Sequence, residues 1–387
     1  MTTDREIARW RLRSQHLVTP HARSSAEVIR SLLAVQAENA SQAAWAVASR
    51  TPHPDGGDLD ALLDRGLVVR THVLRPTWHF VLAEDIGWLL ELTAPRIRPL
   101  IVRQLEETHG LSGASLDRAT STVLDALSEQ PDQTRGQLAD RLRANGVEPV
   151  GEMMMLLLVL LELDRLVCSG RRVAGVHTYA AFADRVSSRR RFDRAEALAG
   201  LALRYFTGHG PATERDLAYW ATLTLGDVRR GRAQVQDLLA SFEHDGRTFW
   251  HAPDEAPPTT APAPPGHLLQ ILDELYRGYQ DSRMVLDSEG IVPTGREPAI
   301  GMALVDGQMV AGMRRTVGRR VVFEISPYNG TVRPETLAAV EQAAARYGAF
   351  LGLDYELVVR ADRLGESGTS EVGAAGPSLP STKRSPY

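Results

Sequence analysis

Residues 134–179 read TRGQLADRLRANGVEPVGEMMMLLLVLLELDRLVCSGRRVAGVHTY, and this stretch decides the fold. Thr134 followed three positions later by Gln137 is a capping box, in which each side chain satisfies a backbone N–H of the other end of the first turn. Leu138 and Leu142 then fall on one helical face, and Asn145-Gly146 ends the helix. Met153 to Leu163 is apolar on every side, which predicts a buried core helix rather than a cofactor box or a membrane span. Arg171 to Tyr179 follows as a β wing. Helices followed by a strand pair is the order of a winged helix-turn-helix.

The same order recurs on both sides. Upstream, Ser24 with Glu27 predicts a second capping box for a helix carrying Val28, Leu32 and Leu33; Gln42–Ser49 predicts the next helix and Leu67–Leu82 a β wing. Downstream, Gly208-His-Gly-Pro211 reads as a loop, Thr213 caps a helix through Leu217 and Trp220, and Leu225–Val235 takes the recognition-helix position. The proline-rich stretch from Ala252 to Gly266 predicts a stiff extended connector. Beyond it, Ala303–Val305, Gln308–Arg315 and Arg320–Ile325 read as strands joined by turns at Asp306-Gly307 and Val317-Gly318, with an amphipathic helix over Pro334–Tyr347. The fold class is therefore read as helix-rich α+β: three tandem winged helix-turn-helix units and a small C-terminal β-sheet and hairpin domain. Their expected limits are 1–110, including a connecting helix, then 111–190 and 191–251. The connector covers 252–266, the β-rich domain 267–362, and a Gly-, Ser-, Pro- and Ala-rich tail, 363–387, is expected to be disordered.

Composition narrows the chemistry. Of 44 basic residues only Lys383, in that tail, is a lysine. A Schiff-base nucleophile, a pyridoxal-phosphate anchor and a phosphate-loop lysine each need an amine the folded body lacks. The single cysteine, Cys168, rules out an intrachain disulfide, a Cys-rich zinc site and a four-cysteine iron–sulfur cluster, and is read as buried. Neither cofactor nor metal is expected. The Met1–Glu6 start lacks the regions of a signal peptide and no apolar stretch is long enough to cross a bilayer, so a cytoplasmic protein without membrane contact is expected. With a net charge of -4, any nucleic-acid site must be a local arginine face. Three clusters qualify: Arg185, Arg189, Arg190, Arg191 and Arg194; Arg229, Arg230 and Arg232; and Arg314, Arg315, Arg319 and Arg320. A solvated surface and the arginine bias of a GC-rich genome are the competing readings of all three.

Several segments in order resemble the AlkZ-like winged-helix DNA glycosylases, a bacterial family of three tandem winged helices with a C-terminal β-rich domain. They are Leu32-Leu-Ala-Val-Gln-Ala-Glu38, Arg75-Pro-Thr-Trp-His79, Phe206–Thr213 with Asp216–Trp220, Asp273–Tyr279, and the strands around Val305-Asp-Gly307, so the resemblance runs through most of residues 5–360. The resemblance implies a catalytic motif of glutamine, an apolar residue and a second polar residue, which falls on Gln36, Ala37 and Glu38. Relatives named for resistance to DNA-alkylating antibiotics carry a second glutamine there and other bacterial relatives an aspartate; Glu38 departs from both and resembles the carboxylate version. The resemblance also implies hydrolytic removal of N7-alkylguanine and similar cationic lesions, including bulky antibiotic adducts or crosslinks, from double-stranded DNA. A monomer is expected, with no obligatory protein partner and, for want of a lysine, no strand cleavage by a lyase step.

The residue types suit that chemistry. A cationic alkylated purine is already a good leaving group, so the site needs an anion near the developing sugar cation and a placed water. Glu38 can serve as that anion and as general base, and Gln36 can orient the water through its amide. Residues two apart share a face only on extended backbone, so the motif must be non-helical. Trp78 offers a face for stacking and His79 a titratable lesion contact, with wing packing as the alternative. Asp273, Glu274, Tyr276 and Tyr279 line a pocket or join domains by hydrogen bonds. The hairpin at Arg314–Arg320 is the candidate for bracing a DNA groove, or is an edge guarded by charge. The competing functions are a noncatalytic winged-helix transcriptional regulator, which would bind intact DNA by sequence, and a small-molecule-binding protein using an interdomain cleft.

Overall fold

The computed structural model describes residues 2–186, 190–253, 258, 263–294 and 301–360. Arg189, Lys383, the tail, and residues 254–257 and 259–262 of the proline-rich stretch lie outside these. The described chain is mixed α+β, with helices alternating with small sheets. Among the described residues no helix is long and apolar enough to cross a membrane.

The helix Ser25–Leu32 begins where Ser24 Oγ accepts the Glu27 N–H at 3.2 Å. The box expected here is only half formed: the Glu27 carboxylate instead accepts the backbone N–H and the guanidinium of Arg23, each at 2.9 Å. Leu33, buried with φ 67, turns the chain out of this helix into the strand Ala34–Gln36. Such backbone costs on the order of 1–3 kcal/mol and persists only where packing over-determines it. Asn39 then accepts the Gln42 N–H and starts the helix Ala40–Ala48, two residues earlier than read from sequence. After the helix Gly56–Asp64, the hairpin of Val68–Val73 and Thr77–Leu82 accepts Ala34–Gln36 along its free side, pairing Gln36 with His79.

Two helices, Ala83–His109 and Gly113–Glu129, lead to a second group. Its capping box is complete, with Gln137 Oε1 accepting from Thr134 N and Thr134 Oγ1 from Gln137 N. The apolar helix Gly151–Leu163 is buried throughout most of its length against Ala83–His109. The wing read over Arg171–Tyr179 holds less strand than expected. Strand is limited to Thr178–Ala181, which pairs with Gln133–Thr134 on one side and Val167–Ser169 on the other, and Val173 and Val176 form a single bridge; the Arg171 N–H donates to Asp132 and its carbonyl accepts from Thr178 Oγ1, so side chains satisfy that backbone. A third group comprises the helices Arg194–His209, Glu214–Ala221 and Leu225–Gln234 and the hairpin Ala240–His244 with Arg247–His251.

The C-terminal sheet has five strands, ordered Tyr355–Val359, Val321–Pro327, Gln308–Val317, Gly301–Val305 and Gly266–Leu269, with the helix Pro334–Leu351 packed on it. Asp306 (φ 55) and Gly307 (φ 72) make the expected tight turn, both positions needing positive φ. Val317 lies in strand and the second turn is Gly318–Arg320, closed by a Gly318 N–H to Arg320 carbonyl bond. Gly266 belongs to the first strand rather than to a connector.

Chain order and packing diverge at the N-terminus. The helix Asp4–Ser14 places Ile7, Ala8 and Leu12 in one apolar cluster with Leu269, Leu304 and Met309 of the C-terminal sheet, and Arg9 forks onto Asp306. Nearby, Arg50 and Asp273 form a fully buried two-point ion pair, Nη2 to Oδ1 at 2.7 Å and Nη1 to Oδ2 at 3.0 Å, with Gln15 and the Ala46 carbonyl as further acceptors of the two Nη groups. Truncating one member of such a pair leaves an uncompensated buried charge. Asp273→Ala is therefore expected to lower unfolding free energy by about 3–5 kcal/mol in urea melts, and a loss below 1 kcal/mol would refute the pair's role in joining these segments.

Candidate active site

The strand Ala34–Gln36 carries Gln36 on extended chain, and Ala37 and Glu38 follow in non-helical chain that bends before the helix Ala40–Ala48, so the motif is non-helical as expected. This path is held from several sides. Ala37 N–H donates to the Trp78 carbonyl at 2.6 Å, and Arg70 donates to the carbonyls of Ala37 (2.9 Å) and Glu38 (3.1 Å). Gln36 N–H donates to Glu274 Oε1 at 2.8 Å. Gln36 is buried and Glu38 exposed, yet both line one recess with Asn39, Gln42 and Asp273. Glu38 Oε1 accepts the Trp78 N–H at 3.0 Å, so its carboxylate is anchored by one oxygen. The Gln36 amide oxygen accepts from Arg75 at 3.3 Å.

Beneath the motif sits a buried carboxylate. Glu274 Oε2 accepts Trp220 Nε1–H at 3.0 Å and the His209 ring at 3.3 Å, while Oε1 holds Gln36. Burial by itself would raise this carboxyl, but the His209 bond and the neighbouring His209, His79 and Arg75 hold it down to about 2. Tyr279 donates to the His209 carbonyl and accepts from Gln15. The segment Asp273–Tyr279 thus joins the parts of the molecule by hydrogen bonds, one of the two roles read for it.

The other candidates separate. Trp78 is half-buried, with the Arg70 guanidinium 4.2 Å from its ring centroid and His72, His177 and Tyr179 packed around it. His79 is fully buried, its Nδ1 bonded to the Thr77 carbonyl at 2.8 Å, so it lies under the recess and not in it. At the C-terminal hairpin, Arg314 and Arg319 are exposed; Arg320 is exposed beside Glu356, whereas Arg315 turns onto Tyr347 and donates to its hydroxyl. Arg190 is exposed and ion-paired with Glu84, and Arg191 is exposed; Arg189 lies outside the described residues. Arg70, Arg75, Glu274 and His209 were given no role at the motif from sequence. Arg75 and Glu274 fall in quoted segments, but only folding shows what they touch.

A recess after a strand, in a lysine-poor α+β protein, that offers a carboxylate and an amide to a bound substrate is the arrangement expected of an enzyme active site. A family model described as DNA glycosylase AlkZ-like matches residues 29–350, and the chain belongs to that family of DNA glycosylases. No curated protein matches the chain. Among solved structures, the Streptomyces sahachiroi DNA glycosylase AlkZ superimposes with a TM-score of 0.73 at 22% identity, covering 93% of this chain and 99% of that one, a likeness in fold. DNA is accordingly the substrate.

Buried neutral histidines give a pH prediction. Burial lowers His79 to about 4 and His177 and His267 to about 3 from the model-compound 6.5. Folded values below the unfolded one mean their stabilisation is complete above pH 6.5 and is lost as pH falls toward 4. Stability should therefore decline through this window, and His79→Phe should reduce the slope by up to about 1.4 kcal/mol per pH unit, one proton's worth. Identical slopes in wild type and variant, measured by urea melts at stepped pH, would contradict this.

Proposed function

We propose that this DNA glycosylase is monofunctional and hydrolyses the N-glycosidic bond of alkylated purines, chiefly N7-alkylguanine, with bulky genotoxin adducts or crosslinks among its substrates and self-protection against an alkylating antibiotic as its role. The observation that carries this reading is the non-helical Gln36–Glu38 segment, which brings an anchored carboxylate and an amide to one recess. Departure of the base leaves positive charge on the sugar, which the Glu38 anion stabilises; the same group takes the proton of the attacking water. Glu38 is exposed at the edge of the recess, within reach of a substrate bound at the surface. No lysine in residues 2–360 is present to form a Schiff base, so hydrolysis ends at an abasic site.

In this reading the three helix-and-hairpin groups are tandem winged helices that carry the duplex. Arg314 and Arg319 provide exposed cations at the hairpin, with Arg320, Arg190 and Arg191 as further phosphate contacts. Arg315, held on Tyr347, supports the hairpin from inside. Trp78 and His79 act as the packed floor of the site. The enzyme works as a monomer.

In single-turnover assays on a duplex carrying 7-methylguanine, Glu38→Gln is expected to slow base release by about 10²–10⁴-fold while DNA affinity and its salt dependence stay unchanged. Release at the wild-type rate would remove Glu38 from the chemistry.

A further inference from the structure

We infer that Arg75 is a positioning residue that fixes the orientation of the Gln36 amide, so that Gln36 works as a hydrogen-bond donor to the attacking water and Glu38 alone receives its proton. The inference rests on the glycosylase reading above and divides the labour within that site.

Arg75 precedes the strand Thr77–Leu82, and its guanidinium is held from three separate parts of the chain. One Nη donates to Gln36 Oε1 at 3.3 Å, the other to the Arg277 carbonyl at 3.1 Å, and the guanidinium carbon lies 5.0 Å from the Tyr219 ring centroid. A planar cation with these partners cannot follow the amide if the amide turns over. Turning Gln36 by half a rotation would set its NH₂ group against the guanidinium N–H groups, donor against donor, and lose a charge-assisted bond. The oxygen is therefore the inner end. Among the described residues Gln36 Nε2 has no protein partner, and Gln36 lines the recess it shares with Glu38.

Glu38 is anchored in complementary fashion, with Oε1 taken by the Trp78 N–H and Oε2 left to accept. A water between them accepts Gln36 Nε2–H on one lone pair and donates one O–H to Glu38 Oε2. Its second lone pair forms the bond to C1′ of the sugar as the C1′–N bond breaks and its electrons leave with the base. The proton lost by the water resides on Glu38.

The test uses the full chain and three variants, Gln36→Glu, Arg75→Met and the double substitution, in single-turnover release from a 7-methylguanine duplex. Gln36→Glu keeps an acceptor for Arg75 but puts an oxygen without a proton where the N–H was. It should be slowed at least about tenfold at pH 7.5, and its rate relative to wild type should rise toward pH 5, where a protonated carboxyl can donate. In the Arg75→Met background the amide is free to turn, so the penalty of Gln36→Glu should shrink. Arg75→Lys, which keeps the charge without the fork, serves where Arg75→Met melts early, and should show the same direction. A Gln36→Glu rate equal to or above wild type at pH 7.5, or the same penalty with and without Arg75, would overturn the inference. Failure of the glycosylase reading looks different: wild type releases no base. In that case the ¹⁵N-edited signal of the Gln36 side-chain amide still decides the point, since it should shift on Arg75→Met, and an unmoved signal refutes the positioning.

Discussion

The carboxylate of Glu274 has no access to water and is reached by a backbone N–H from Gln36, an indole N–H from Trp220 and the imidazole of His209. An isolated buried carboxylate is among the costliest groups a protein can hold, and it is tolerated only where several donors converge on it. Those donors come from the motif strand and from two helices of the third group, while the carboxylate itself belongs to the C-terminal part. Docking of these parts and solvation of this one charge are thus the same event. The non-helical path at Gln36 agrees with it, since the N–H that would otherwise seek a helical carbonyl is committed to Glu274.

The geometry above this joint divides buried from exposed in a way that suits hydrolysis. Gln36 is held in the interior by Arg75 and Glu274, which in the proposed mechanism suits it to placing the water, whereas Glu38 sits at the surface with one oxygen anchored and one free. Electrostatic stabilisation is strongest when the stabilising dipoles and charges are already fixed before the reaction. Here the fixing is done by backbone groups of Trp78 and by Arg70 and Arg75, none of which needs to move.

Much of this was legible in the sequence where the controlling interactions are local. Thr134 with Gln137, Thr213 with Asp216, the Met153–Leu163 run and the Asp306-Gly307 turn are each settled by neighbours within a few positions, and each appears where expected. The non-helical motif was legible by a different route, from the requirement that Gln36 and Glu38 share a face. Ser24 and Glu27 carried the same local signature, but Arg23 competes for the Glu27 carboxylate and wins. The helix Asp4–Ser14 has its own capping box at Thr3 and Glu6, yet its few apolar residues sit among arginines and find their partners more than 200 positions away, Trp10 on Phe242 and His251, and Ile7 in one cluster with Leu269 and Leu286. The strand Tyr355–Val359 pairs in parallel with Val321–Pro327 and is too short and irregular in pattern to announce itself. For the proposed site, Gln36 and Glu38 were candidates through the family resemblance; the residues that contact Gln36 could not be read, because Arg75 lies 39 positions from it and Glu274 lies 238 positions away.

In the proposed mechanism this site hydrolyses the glycosidic bond with water and without a covalent protein intermediate. Single-turnover reaction of a 7-methylguanine duplex in H₂¹⁸O, with borohydride present in a parallel sample, tests it most directly. Hydrolysis is expected to place one ¹⁸O on C1′ of an intact strand and to leave no protein trapped on the DNA. A borohydride-trapped protein–DNA adduct, or strand scission coincident with base release, would contradict it.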